Sequence, residues 1–111
     1  MIEAKEYSKF FNFFEEKIER AIKENRPIDD YVNKQIQLLM EAHDNFIISA
    51  KRKGYDVEHD VRVGEIEVKQ YAAMLQIAKK WGMPTERYEN LIKEVKIRIF
   101  GKENYTRFFD D

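Results

Sequence analysis

At 111 residues, 43% of them apolar and 37% charged, the chain has the size of one domain and enough apolar content for a core, which excludes low-complexity disorder. The net charge of −1 comes from interspersed residues, which argues against nucleic-acid or anionic-lipid partners, and the absence of cysteine excludes disulfides and thiolate chemistry. Because no apolar run reaches the length of a membrane span and the first residues lack a signal-peptide core, we expect a single cytoplasmic domain over residues 1–111 with no membrane partner.

The first predicted helix covers residues 3–25. Its apolar residues recur at spacings of three and four, the period of a helix with one buried face. They are Tyr7, Phe10, Phe11, Phe14, Ile18, Ala21 and Ile22. Phe13 points about 110° away from the centre of this stripe. We expect Phe13 to be either a partly exposed ring beside an aromatic core or part of an association patch.

The second predicted helix runs from Pro27, at a first helical position, to a left-handed cap at Gly54. Its stripe contains Val32, Ile36, Leu39, His43, Phe46, Ile47 and Ala50. A lone histidine within an apolar stripe is more often a hydrogen-bonded core residue than a ligand or a base. The structural role is therefore favoured for His43, with metal binding or catalysis as the alternative.

The segment 55–63 allows two interpretations. Apolar and polar residues alternate in it, so that a β-hairpin over 55–71 is possible. Alternatively, Asp56 or Asp60 serves as the N-cap of a third helix. We favour the helix because a long helical pattern follows and an isolated hairpin is only marginally stable in water.

The third predicted helix, residues 57–81, has two apolar stripes on opposite sides, and Gly64 permits close approach of a neighbour. One stripe contains Val57, Val61, Val68, Tyr71, Ala72, Leu75 and Ala78, and the other contains Val63, Ile66, Ala73, Ile77 and Trp81. A helix with two such stripes must be covered on both sides. We therefore predict a symmetric homodimer or protein partner, with an interface that contains Phe13, Val63, Ile66, Ile77 and Trp81. Trp81 is either this anchor or a cap on the core.

The fourth predicted helix begins near Thr85 and stops at Gly101. Its single stripe contains Tyr88, Leu91, Ile92, Val95 and Ile99. The sequence KENYTRFFDD follows, and we expect its three aromatic residues, Tyr105, Phe108 and Phe109, to pack back on the bundle. The fold class is therefore all-α, an antiparallel four-helix bundle with a short C-terminal aromatic tail.

Two acidic pairs suggest a metal-dependent alternative. Glu16-x-x-Glu19 lies on the first helix and Glu41-x-x-Asp44 on the second, and a Gly-Tyr-Asp segment follows at residue 54. Over residues 14–58 this arrangement resembles the MazG-type all-α nucleoside triphosphate pyrophosphohydrolases. The resemblance implies that these four carboxylates hold Mg²⁺, which would polarise the triphosphate and activate water.

These observations predict a small helical module for protein–protein interaction or self-association, without a cofactor and without enzymatic activity. The alternative is a Mg²⁺-dependent nucleoside triphosphate pyrophosphohydrolase. On the simple hairpin of the first two helices the four carboxylates face solvent and point away from each other. Only burial by another subunit would bring them together.

Overall fold

The computed structural model describes the backbone of residues 4–109 and the side chains of residues 9–101. It contains four helices, α1 (Ala4–Lys23), α2 (Asp29–Arg52), α3 (Val61–Lys80) and α4 (Glu86–Phe109), and no strand occurs among the described residues. The predicted all-α four-helix bundle is confirmed. The alternative of a β-hairpin over 55–71 is wrong, because most of that segment belongs to α3.

The turn between α1 and α2 is tight. Asn25 adopts a positive φ of 55°, and the Arg26 amide donates to the Ala21 carbonyl at 2.8 Å. Ile28 is the N-cap of α2, so Pro27 lies outside the helix and the prediction that it occupies the first helical position is wrong. At the other end of α2, Gly54 has a φ of 87°, which confirms the predicted left-handed cap.

Helix α3 begins at its N-cap Asp60, one of the two predicted caps, and is 20 residues long. The Asp60 carboxylate accepts from the backbone amides of Arg62 at 2.9 Å and Val63 at 3.4 Å. The hydrogen bond from the Arg62 side chain is the main reason that the pKa of Asp60 is lowered. The prediction of a longer helix over 57–81 is wrong at its start, because residues before Asp60 form a turn closed by the Asp60 amide on the Asp56 carbonyl at 2.8 Å.

Backbone contacts follow the order of the chain, α1 against α2, α2 against α3 and α3 against α4, so that α2 and α3 are the inner helices. All four helices contribute to the core, whose buried members are Ile18, Val32, Ile36, Tyr71, Met74, Ile77, Ala78, Tyr88 and Val95. Phe10 and Ile22, which were predicted to face the core, are exposed, because they lie on the two flanks of the α1 stripe. None of the helices in the described part has the length and apolar character of a membrane span.

Gly64 fixes the distance between α3 and α4. A Cβ atom at this position would lie 2.5 Å from Cγ1 of Ile99, so only glycine permits the observed approach. Gly101, with a φ of 76°, interrupts the helical geometry of α4 at the point where the sequence predicted the end of the helix. The predicted end is wrong, because α4 continues beyond this kink to Phe109. The side chains of Tyr105, Phe108 and Phe109 lie outside the described residues, so the packing of the aromatic tail stays a prediction.

Candidate functional site

An open groove of about 320 Å³ lies between the last turns of α2 and the first turns of α3. It is lined by Phe46, Ser49, Ala50, Lys53, Tyr55, Arg62, Val63 and Ile66. Ala50 and Val63 are buried, whereas Tyr55 and Ile66 are exposed. We call this feature the α2–α3 groove; its floor is apolar and its rim carries two cations.

The α2–α3 groove continues the path of α1 across the inner helices. The Gln35 side-chain amide donates to the Phe11 carbonyl at 3.1 Å, and Lys80 forms an ion pair with Glu15, so Gln35 and Lys80 mark the face that α1 covers. Phe46 follows Gln35 by about three helical turns and Arg62 precedes Lys80 by about five, which places both on that same face. The first residue of α1, Ala4, lies only about two turns before Phe11. Helix α1 therefore does not extend along α2 as far as the groove.

The charge at the rim is positive. Lys53 is one of the two rim cations, and no carboxylate among the described residues lies within ion-pair distance of it. Arg62 is held by Asp60 at 3.1 Å, and its guanidinium lies 5.4 Å from the centre of the Tyr55 ring. An apolar floor with an aromatic and cationic rim suits a peptide that carries apolar side chains beside carboxylates.

Apart from the α2–α3 groove, the chain contains a cluster of polar side chains between α2, α3 and α4. His43 Nδ1 lies 2.7 Å from Gln70 Oε1, and His43 Nε2 lies 3.0 Å from the Tyr71 hydroxyl. When Nδ1–H donates to the Gln70 oxygen, Nε2 accepts from the Tyr71 O–H, so that both ring nitrogens of His43 have a partner. The prediction that His43 is a hydrogen-bonded core residue is confirmed, since it is only 7% exposed.

Glu67 extends this cluster to α4. It is 4% exposed, its Oε1 accepts from the Arg98 guanidinium at 2.5 Å, and its Oε2 lies 3.9 Å from His43 Nε2. Burial, followed by the nearby Glu67 charge, raises the pKa of Tyr71, so the phenol stays protonated as a donor. His43, Tyr71 and Glu67 are buried, whereas the Arg98 side chain is 37% exposed at the edge of the cluster. The hydrogen bonds among these groups stabilise the packing of the three helices.

The structure separates the five residues of the predicted interface. Val63 and Ile66 come together at the α2–α3 groove, where Val63 forms part of the floor and Ile66 is 40% exposed. Phe13 is 50% exposed on the outer flank of α1. Ile77 is buried in the core and Trp81 packs against it, with a buried Nε1 that has no hydrogen-bond partner. The two predicted stripes of α3 are therefore not separate faces, because both contribute to one wide buried face.

The four predicted metal ligands stay apart within this chain. Glu16 and Glu19 are exposed on α1, where they share a shallow depression with Arg20 and Lys23. Glu41 and Asp44 are exposed on α2. Within the part of the chain that the structure describes, no group of three or more acidic, histidine or cysteine residues is placed to hold a metal ion.

The sequence pattern missed most of the groove. Tyr55 and Arg62 belong to the segment 55–63, for which the pattern predicted only a hairpin or a helix start and no binding surface. The available signal was the Lys51-Arg52-Lys53 run, which a single glycine separates from the exposed Tyr55. Glu67 was missed because a glutamate in a helix is usually exposed.

Comparisons with protein-family models, with curated proteins and with solved structures found no match to this chain. The resemblance to the MazG-type enzymes therefore rests only on the acidic pairs and the Gly-Tyr-Asp segment.

Proposed function

We propose that this chain is a small helical self-association module that forms a symmetric homodimer through the α2–α3 groove. The observation that carries the proposal is the groove itself, which has an apolar floor at Ala50 and Val63 and an exposed isoleucine, Ile66, at its edge. A symmetric dimer is the commonest closed assembly of identical chains. The cytoplasm as its location is part of the same proposal and follows from the sequence pattern alone.

Binding is favoured over catalysis by the chemistry of the groove. Its polar groups are two cations, a hydroxyl and a phenol, at Lys53, Arg62, Ser49 and Tyr55. Such a set can orient a carboxylate-bearing ligand, whereas the buried carboxylate and imidazole of the chain lie elsewhere in a closed cluster. An apolar floor contributes most of the binding free energy through the area that it removes from water.

The proposal is tested by the oligomeric state of two matched variants. Ile66 and Ile97 are each 40% exposed, but only Ile66 lines the groove. We expect light scattering to give a dimer mass for the wild type, a loss of association of about 2 kcal/mol or more for Ile66→Arg, and no change for Ile97→Arg. A monomer mass for the wild type at high micromolar concentration, or equal effects of the two variants, would contradict the proposal.

The same preparations test the enzymatic alternative. Under the resemblance, Mg²⁺ and a nucleoside triphosphate should yield pyrophosphate, and Glu41→Gln should abolish its release. Pyrophosphate release that disappears in this variant while the fold is retained would overturn the assignment as a binding module.

A further inference from the structure

We propose that a cleft between α2 and the start of α4 binds a small ligand in which one carboxylate is joined to an amide and a short apolar side chain. An N-acyl amino acid and the C-terminal residue of a peptide both have this chemistry. The cleft, which we call the α2–α4 cleft, has a volume of about 310 Å³. It is lined by Asn33, Ile36, Gln37, Met40, Arg87 and Tyr88. This volume is at the lower end of the range for small-molecule sites.

The α2–α4 cleft is separate from the α2–α3 groove. Gln35 of α2 donates to the Phe11 carbonyl of α1, and Asn33 and Gln37 are each two positions from Gln35. Because a step of two residues turns about 200° around a helix, the cleft opens on the side of α2 that faces away from α1. Among the described residues α2 and α4 make no backbone contact, which leaves space between them. A ligand in the cleft therefore leaves the proposed dimer contact free.

The polar side chains of the cleft have no partners among the described residues. The side-chain amides of Asn33 and Gln37 form no hydrogen bond there, and Arg87 has no carboxylate within ion-pair distance. The Arg87 guanidinium lies 5.9 Å from the centre of the Tyr88 ring. Ile36 and Tyr88 are buried and form the floor. An apolar floor with a few unpaired polar groups at its rim is typical of ligand sites.

The chemistry of these side chains defines the ligand. A guanidinium has only donors, and two of its N–H groups match the two oxygens of a carboxylate. A carboxamide offers a donor and an acceptor together, so Asn33 and Gln37 match the N–H and C=O of a peptide group. Ile36 and Met40 provide apolar surface for a side chain of the ligand. A carboxylate beside an amide and an apolar side chain therefore satisfies all parts of the cleft.

Neighbouring charges restrict the ligand to one carboxylate. Arg87 is the only ionised side chain in the lining. Glu41 follows Gln37 by about one helical turn, Glu86 is adjacent to Arg87 in the chain, and both glutamates are exposed. One carboxylate of a ligand pairs with Arg87, whereas a second would meet like charges at the edge of the cleft. N-acetyl-leucine fits this description and N-acetyl-aspartate does not.

Titration of N-acetyl-leucine into the isotope-labelled full chain, followed by NMR, tests the site. We expect saturable shifts of the backbone amide signals around Gln37 and Arg87, with a Kd of about 1 mM or lower. N-acetyl-leucinamide, which lacks the carboxylate, should bind about tenfold more weakly or worse. N-acetyl-aspartate should also bind more weakly, because its second carboxylate is repelled.

Matched variants identify the groups that bind. Arg87→Gln should weaken the binding of N-acetyl-leucine about tenfold or more and remove the difference between the acid and its amide, because the carboxylate loses its partner. Arg52→Gln removes an exposed guanidinium that lines neither the cleft nor the groove, and it should change neither property. Gln37→Ala should weaken binding about threefold or more, whereas Gln76→Ala, at an exposed position of α3, should not.

The peptide acetyl-Ala-Ala-Leu distinguishes the two sources of this chemistry. Tighter binding than that of N-acetyl-leucine assigns the end of a peptide chain, and equal or weaker binding assigns a free acyl amino acid. The absence of saturable shifts up to about 10 mM, or an Arg87→Gln variant that still prefers the acid to the amide, would overturn the proposal. Light scattering measures the dimer independently of these titrations, so this inference and the proposed self-association fail separately.

Discussion

His43 is enclosed by polar partners that come from another helix. Its place in the apolar stripe of α2 predicted burial correctly, because the helical period determines which residues face the core. The identity of its partners was not predictable, since Gln70 and Tyr71 reach it only through the packing of α3 on α2. The burial of Glu67 was not predictable for the same reason, because its partner Arg98 comes from α4.

Replacing His43 by leucine should lower the free energy of unfolding by about 2–3 kcal/mol, because the change leaves the buried Tyr71 hydroxyl and the Gln70 amide oxygen without a partner. Adding Tyr71→Phe should recover about 1 kcal/mol, since it removes one of the unpaired groups. Urea denaturation of the single and double variants measures both values. As a control, His59→Leu, at an exposed position, should stay within about 0.5 kcal/mol of the wild type. A cost for His43→Leu as small as that of the control would contradict the structural role.

The sequence predicted the breaks in helical geometry that a glycine marks, but it did not predict where α3 starts. Gly54 and Gly101 both adopt the positive φ expected at a helix boundary. Asp56 and Asp60 were equivalent as caps from sequence. The structure distinguishes them through Arg98, whose guanidinium donates to the Glu58 carbonyl at 3.1 Å and stabilises a non-helical turn before Asp60. That contact joins residues far apart in the chain, so no local pattern contains it.

The close approach at Gly64 gives a prediction opposite to helix propensity. Alanine in a helix interior is usually more stable than glycine by about 1 kcal/mol. Here the added Cβ would meet Ile99 at 2.5 Å, so Gly64→Ala should instead destabilise the chain by about 1–3 kcal/mol through displacement of α4. Thermal unfolding measures the effect, and Ile99→Ala in the same chain should make the added cost of Gly64→Ala disappear. An increase in Tm for Gly64→Ala alone would show that α3 and α4 are not held at this distance.

For the whole molecule, the order of the helices was predictable because short connections make sequence neighbours pack antiparallel. The α2–α3 groove was not predictable, because it arises from the offset of α1 along α2. That offset is set by contacts such as Gln35 with the Phe11 carbonyl, and hydrophobic periodicity gives the face of a helix but not its axial position.

The same arrangement predicts how the molecule opens. Helices α2 and α3 are packed on two sides, and α4 is fixed to α3 at Gly64 and through the Glu67–Arg98 ion pair. Among the described residues, helix α1 has backbone contacts with α2 and with no other helix, and Phe10 and Phe13 on its flank are 46% and 50% exposed. We therefore expect native-state hydrogen exchange to give a free energy of opening for α1 about 1–2 kcal/mol lower than that of global unfolding. Amides around Met74 should exchange only by global unfolding.

The exchange experiment includes its own control within the chain. Amides of α1 around the buried Ile18 should exchange together and depend only weakly on denaturant, because detaching one outer helix exposes less surface than unfolding the bundle. The exchange of the amides of α2 and α3 should depend more steeply on the denaturant concentration, with the same slope for both helices. If the amides around Ile18 are as slow as those around Met74 and respond equally to denaturant, α1 is an integral part of one cooperative unit. The groove would then be a fixed feature of a rigid bundle, because the helix whose offset defines it could not detach independently.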